Sequence, residues 1–80
     1  MKINVKFFAL GKELIGVSEI EMEFPETLTV QTLIERLKQD YEKFKELSSF
    51  RVAVNMEFSD VSAVLKDGDE VAIIPPVSGG

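Results

Sequence analysis

The sequence predicts an α+β domain in which a mixed sheet of four to five strands packs on one main helix. Three observations predict it. Residues 2–9, 18–24 and 50–56 alternate apolar and polar side chains, and a fourth run, Glu70-Val71-Ala72-Ile73-Ile74, is rich in β-branched residues. One long stretch, residues 30–41, instead carries apolar residues at helical spacing. The order is strand, strand, helix, strand, irregular segment, strand. Right-handed crossovers and two-layer packing leave few topologies for that order.

In residues 2–9, Ile3, Val5, Phe7 and Ala9 share one face. Lys2, Asn4, Lys6 and Phe8 share the other, so Phe8 puts an aromatic ring on a polar face. Leu10, Leu14 and Ile15 then fall at helical spacing before Gly16, which predicts a short helix or turn closed by that glycine. Residues 18–24 turn Ile20, Met22 and Phe24 inward and Glu19, Glu21 and Glu23 outward. A row of like charges suits a sheet edge, where it deters pairing with another chain. An active site would need paired carboxylates in a cleft, and the solvated edge is the simpler reading.

Thr29 is placed to cap a helix with its hydroxyl. Val30, Leu33, Ile34, Leu37 and Tyr41 form one face of a helix over residues 30–41, continued by a looser turn through Phe44 and Leu47. That stripe reads as core, because one sheet face needs a cover. In residues 50–56, Val52, Val54 and Met56 are expected inside and Arg51, Ala53 and Asn55 outside. Val61, Val64 and Leu65 are expected core contacts in the irregular segment. Lys66-Asp67-Gly68-Asp69 is a turn with Gly68 at positive φ. Its two aspartates lack the ligand spacing of a calcium loop, so no metal site is read there. The last strand puts Val71 and Ile73 inside and Ala72 and Ile74 outside. The first and last strands are expected side by side and parallel at the centre, with the Glu-rich strand on an edge.

Eighty residues make one domain, read as a body of residues 1–75 and a flexible tail of residues 76–80. The net charge is -5, from nine Lys+Arg against fourteen Asp+Glu. That balance argues against nucleic acid and anionic membrane as partners, and for a protein partner with a basic docking face. The chain has no Cys and no His. Disulfides, thiol nucleophiles, thiolate metal sites and the commonest general base are therefore all missing. An enzyme built without either would have to use carboxylates or lysines. No run approaches 18 apolar residues, and the N-terminus reads as a strand rather than a signal peptide, so the expected location is cytoplasmic.

The ending, Pro75-Pro76-Val77-Ser78-Gly79-Gly80, has its own chemistry. The prolines cannot donate ladder hydrogen bonds, so they end the strand and stiffen its exit. The glycines have no Cβ, which keeps the final backbone thin. A stiff exit with a thin tip suits insertion into a narrow channel of another protein. Phe8, Ala53 and Ile74 are apolar residues on the otherwise polar outer face. They fall together beside the tail if their three strands are neighbours. Such a cluster is read as a docking patch, although scattered surface apolar residues are also ordinary.

The stretch Asp67-Gly68-Asp69-Glu70-Val71-Ala72-Ile73-Ile74 with this ending resembles the C-terminal signature of the small, sulfur-carrier subunits of molybdopterin synthase. Val5-Lys6-Phe7-Phe8-Ala9-Leu10, then Lys12-Glu13-Leu14 and Gly16, and later Ala53-Val54-Asn55, are similar to the same family. The resemblance spans the chain and implies a ubiquitin-like β-grasp fold. It implies that the Gly80 carboxylate is adenylated and then converted to a thiocarboxylate. The implied activating enzyme is E1-like and uses ATP and magnesium; this chain binds no cofactor directly. The implied sulfur source is of cysteine desulfurase or rhodanese type. Residues Pro75, Pro76, Val77, Ser78 and Gly79 would carry Gly80 into the large synthase subunit, to deliver sulfur to cyclic pyranopterin monophosphate. Alternatives are a carrier for thiamine, cysteine or tungsten-cofactor synthesis, a protein modifier joined through Gly80, and an inert ubiquitin-like module.

Overall fold

The computed structural model describes residues 1–76. The chain runs β1 (Lys2–Phe7), α1 (Ala9–Ile15), β2 (Glu19–Glu23), β3 (Leu28–Thr29), α2 (Val30–Asp40), a 3-10 turn (Glu42–Glu46), β4 (Arg51–Val54), β5 (Glu57–Phe58), β6 (Val64–Leu65) and β7 (Glu70–Ile74). Five strands form one sheet in the order β2-β1-β7-β4-β5. The small pair β3 and β6, which the sequence pattern does not foretell, stands apart. β1 and β7 run parallel at the centre, with Val5 opposite Val71. The Glu-rich β2 lies on an edge, antiparallel to β1.

The helix is where its periodicity puts it. Thr29 Oγ1 accepts a hydrogen bond from the Thr32 amide at 3.3 Å and so caps α2. Val30, Leu33, Ile34 and Leu37 are buried along one stripe. They meet Ile3, Val5, Phe7, Val71 and Ile73 of the two central strands, all at 1% exposure or less. Each such side chain is worth about 1.5–3 kcal/mol of transfer free energy. The helix therefore fixes one face of the sheet as interior and leaves the other open. The 3-10 turn then buries Phe44, whose ring meets Phe50 edge-on at 5.4 Å. α1 ends at Gly16, whose φ of 93° lets its N–H return to the Lys12 carbonyl at 2.8 Å.

Three expectations of the sequence reading fail here. Ala9 does not continue the inward face of β1. It is exposed at φ 49° and turns the chain into α1. Met56 is not inside but 86% exposed. β4 ends at Val54, and Asn55 (φ 50°) and Met56 (φ 70°) form a two-residue hairpin turn into β5, with Val54 paired to Glu57. Positive φ at both central positions is the type I′ geometry, which matches the right-handed twist of the flanking strands. Val61 and Val64 are 45% and 59% exposed, and only Leu65 of that trio is buried. β6 is two residues long, so alternation sends Val64 out as it sends Leu65 in.

Among the described residues, no helix is long and apolar enough to cross a membrane.

Candidate docking face and tail root

The face of the sheet opposite α2 carries the side chains that alternation turns outward from β1, β7 and β4. β7 lies between β1 and β4, so Phe8, just beyond β1, comes close to Ile74. Phe8 is 46% exposed, and Ile74 and Ala72 are half-buried. Ala53 is only 6% exposed, so the expectation of an exposed Ala53 is corrected. It is paired with Phe58 on one side and Ala72 on the other, and its single methyl sits below its neighbours. Phe8, Ala53, Met56, Phe58, Ala72 and Ile74 line a shallow depression of about 340 Å³, with Lys6 and Glu70 at its margin. Met56 and Phe58 belong to this face, and the sequence reading missed both. The signal that could have found them is Asn55, a residue that tolerates positive φ and begins a two-residue turn.

Two cations stand beside the apolar surface, in different circumstances. The Lys6 ammonium pairs with the Glu70 carboxylate across β1 and β7. Hydrogen bonding and attraction from Glu70 hold its pKa above the ordinary value. Arg51 instead lays its guanidinium over the Phe58 ring, 3.6 Å from the centroid. Among the described residues it forms no ion pair.

The tail root is apolar. Pro75 is buried and Pro76 exposed. Pro75 packs beside Gly11 of α1 and Leu47: a Cβ on Gly11 would lie 3.8 Å from both Leu47 Cδ2 and Pro75 Cγ. A second and larger groove of about 860 Å³ runs here, bordered by Phe8, Leu10, Glu13, Leu47, Ile74 and Pro76. Phe8 and Ile74 are common to both hollows, so the apolar surface is continuous from the sheet to the exit of the chain. Val77, Ser78, Gly79 and Gly80 lie outside the described residues.

The opposite end of β7 is polar and closely bonded. Gly68 takes φ 86°, as the turn requires. Asp67 Oδ1 accepts from the Lys2 amide at 2.7 Å, and Asp69 Oδ2 accepts from the Lys66 amide at 2.8 Å. Asn55 Nδ2 donates to Asp69 Oδ1 at 2.9 Å, and Asn55 Oδ1 accepts from the Glu70 amide at 3.0 Å. The aspartates that might have suggested a cation site are thus engaged with backbone amides and Asn55. Among the described residues, no group of three or more His, Cys, Asp or Glu is placed to hold a metal.

A central strand that ends in Pro-Pro and continues to Gly-Gly, on a sheet covered by one helix, is the arrangement of a known family. The model of the ThiS family matches residues 5–80. The chain belongs to that family. A molybdopterin synthase sulfur carrier subunit of Arabidopsis thaliana is 37% identical over 81 residues, covering 100% of this chain and 84% of that protein. The structure of a Pyrococcus furiosus chain assigned as molybdopterin converting factor subunit 1 superposes with a TM-score of 0.88 at 41% identity, covering 96% of this chain and 99% of that one. A complex of subunits 1 and 2 of molybdopterin-converting factor from Helicobacter pylori contains a chain that superposes at TM-score 0.73 and 29% identity, with full coverage of both. The fold is the ubiquitin-like β-grasp that the sequence resemblance implied.

Proposed function

We propose that this chain is the sulfur carrier of molybdopterin synthase and that its Gly80 carboxylate holds the sulfur. The placement of the tail root supports the reading: Pro75 and Pro76 follow directly on the central strand β7, at the end where the Phe8–Ile74 surface opens. The family match over residues 5–80 supports it, as do relatives described as sulfur carrier subunits.

The chemistry requires a partner. A free carboxylate is a poor electrophile, because substitution would expel oxide. An E1-like enzyme, with ATP and magnesium, joins the Gly80 carboxylate to AMP and releases pyrophosphate. A sulfur from a desulfurase- or rhodanese-type donor attacks the acyl carbon, and AMP leaves. The product is an acyl disulfide with the donor. A thiol attacks the donor's sulfur, forms a disulfide with it and releases the terminus as a thiocarboxylate. Pro76, Val77, Ser78 and Gly79 carry it into the large subunit, where sulfur passes to cyclic pyranopterin monophosphate. Water restores the carboxylate. A dithiolene takes two sulfurs, so two carriers act in turn on each pterin. The sulfur carrier has no catalytic base of its own; the large subunit supplies the pocket. Phe8, Ala53 and Ile74 form its docking face, with Ala53 as floor rather than as an exposed contact.

Intact-mass spectrometry of the protein from cells with the sulfur pathway running tests this. The expected result is a mass gain corresponding to one oxygen replaced by sulfur, localised to Gly80, and molybdopterin synthesis when the protein is mixed with the large subunit. A high-mass ladder that disappears on deletion of Gly80, with no thiocarboxylate, would instead identify a protein modifier. An unaltered terminus and no ladder would leave an inert module.

A further inference from the structure

We infer that Met56 is a reversible oxidation site: a hydroperoxide converts its thioether to a sulfoxide, and the oxidised chain loses affinity for its docking partner. The inference rests on the proposed docking of the Phe8–Ile74 surface. It adds a chemical switch to that surface, and access, placement and chemistry carry it.

Access singles out one sulfur. The chain has three methionines and no cysteine. Met22 is 8% exposed and packs in the core. Met1 is half-buried against the same core. Its amino group donates to the Phe24 carbonyl at 2.7 Å, and its carbonyl accepts from the Phe24 amide at 2.9 Å. Met56 is 86% exposed. A peroxide therefore meets one open thioether, and no thiol competes for it.

Placement decides where oxidation is felt. Asn55 and Met56 turn the chain at φ 50° and 70°, and Val54 pairs with Glu57 across the turn. Met56 thus stands at the hairpin tip and gives no side chain to the core. It still borders the depression, together with Phe8, Phe58, Ala72 and Ile74. Oxidation at such a tip costs the fold little. The change registers on whatever covers the depression, because an unbranched thioether adapts to an apolar partner and a sulfoxide does not.

The chemistry balances with the peroxide as sole oxidant. The sulfur lone pair of Met56 attacks one peroxide oxygen, and the S–O bond forms as the O–O bond breaks. The leaving oxygen takes the proton of the transferred one and departs as water or an alcohol. Sulfur is oxidised by two electrons and the peroxide is reduced. A flexible apolar tip becomes a polar one. Covered by apolar contact, the new S–O group loses water without gaining a hydrogen bond. An enzyme of the methionine sulfoxide reductase class restores the thioether.

The test exposes the full chain, in its carboxylate form, to hydrogen peroxide. Peptide mass mapping follows the gain of one oxygen at each methionine, and calorimetry follows affinity for the large subunit. Met56 should gain oxygen before Met1 and Met22, with the thermal melt unchanged. Affinity should fall about tenfold, and a methionine sulfoxide reductase should restore it. Met56→Leu has no sulfur at this position, so its affinity, whatever the starting value, should not respond to peroxide. Earlier oxidation of Met1 or Met22 would overturn the inference. So would an equal loss of affinity in peroxide-treated Met56→Leu. Phe8→Asp separates the inference from the reading beneath it. If untreated Phe8→Asp binds weakly while the parent oxidised at Met56 keeps full affinity, the face docks and the switch fails. If Phe8→Asp binds as the parent does, the docking reading fails and the switch with it.

Discussion

The two ends of the central strand β7 are built from opposite materials. At its start, a turn of Asp67, Gly68 and Asp69 is tied by side chain and backbone to Lys2, Lys66 and Asn55. At its end, Ile74, Pro75 and Pro76 lie among Phe8, Leu10 and Leu47, and among the described residues no side-chain hydrogen bond reaches them. Directional bonds fix a register to within a fraction of a residue. Apolar contact does not, but it offers surface to a partner. The polar end therefore holds the strand in place, and the apolar end is left free to be used. A carrier needs both, because the reach of its tip depends on where the strand is fixed.

That contrast can be broken from either side. The largest effect is expected beyond the apolar end. One residue appended after Gly80 should abolish thiocarboxylate formation completely, seen by intact mass, while leaving the melting temperature unchanged. Next comes the surface itself: Phe8→Asp should weaken binding to the large subunit tenfold or more, or about 1.4 kcal/mol, with little change in stability because Phe8 is 46% exposed. The polar end should respond in the converse way. Asn55→Ala removes two hydrogen bonds that join the β4–β5 turn to β7, and should cost about 1–2 kcal/mol in urea unfolding. Sulfur loading of the folded fraction should persist. A smaller gain is expected from Gly11→Ala in α1. Its new Cβ would meet Leu47 and Pro75 at ordinary contact distance, and alanine favours helix by about 0.5–1 kcal/mol. The smallest effect belongs to Lys6. Glu70 raises its pKa above the ordinary 10.5, so the stability it lends is fully present below that value. It fades as pH rises through the folded pKa. Lys6→Gln should remove that alkaline slope from stability measured across pH.

Most of the frame was legible in the sequence, because it follows from periodicity. The helix stripe, the Thr29 cap, the Gly16 stop, the edge position of the Glu-rich strand and the central parallel pair each rest on a pattern longer than one residue. What escaped was decided by single residues. Alternation runs unbroken through Met56, and only a backbone at positive φ ends β4 at Val54. The usual Asn-Gly signature would have announced that turn, but methionine stands in the glycine position. The candidate site was legible in part for the same reason. Phe8 and Ile74 were placed correctly by alternation. Ala53 has the right orientation, but its small side chain, flanked by Phe58 and Ala72, is 6% exposed, and period-two patterns say nothing about depth. Phe58 was invisible because its strand is two residues long.

The burial of Pro75 between α1 and Leu47 makes it an anchor point, and an anchor point turns the tail into a ruler. The stretch from Pro76 to Gly80 is five residues. Five residues span at most about 17 Å when fully extended. If Gly80 carries the sulfur as proposed, the reactive centres of the activating enzyme and of the synthase each lie within that radius of the docked end of β7. On that proposal, two unrelated active sites are held to one common depth.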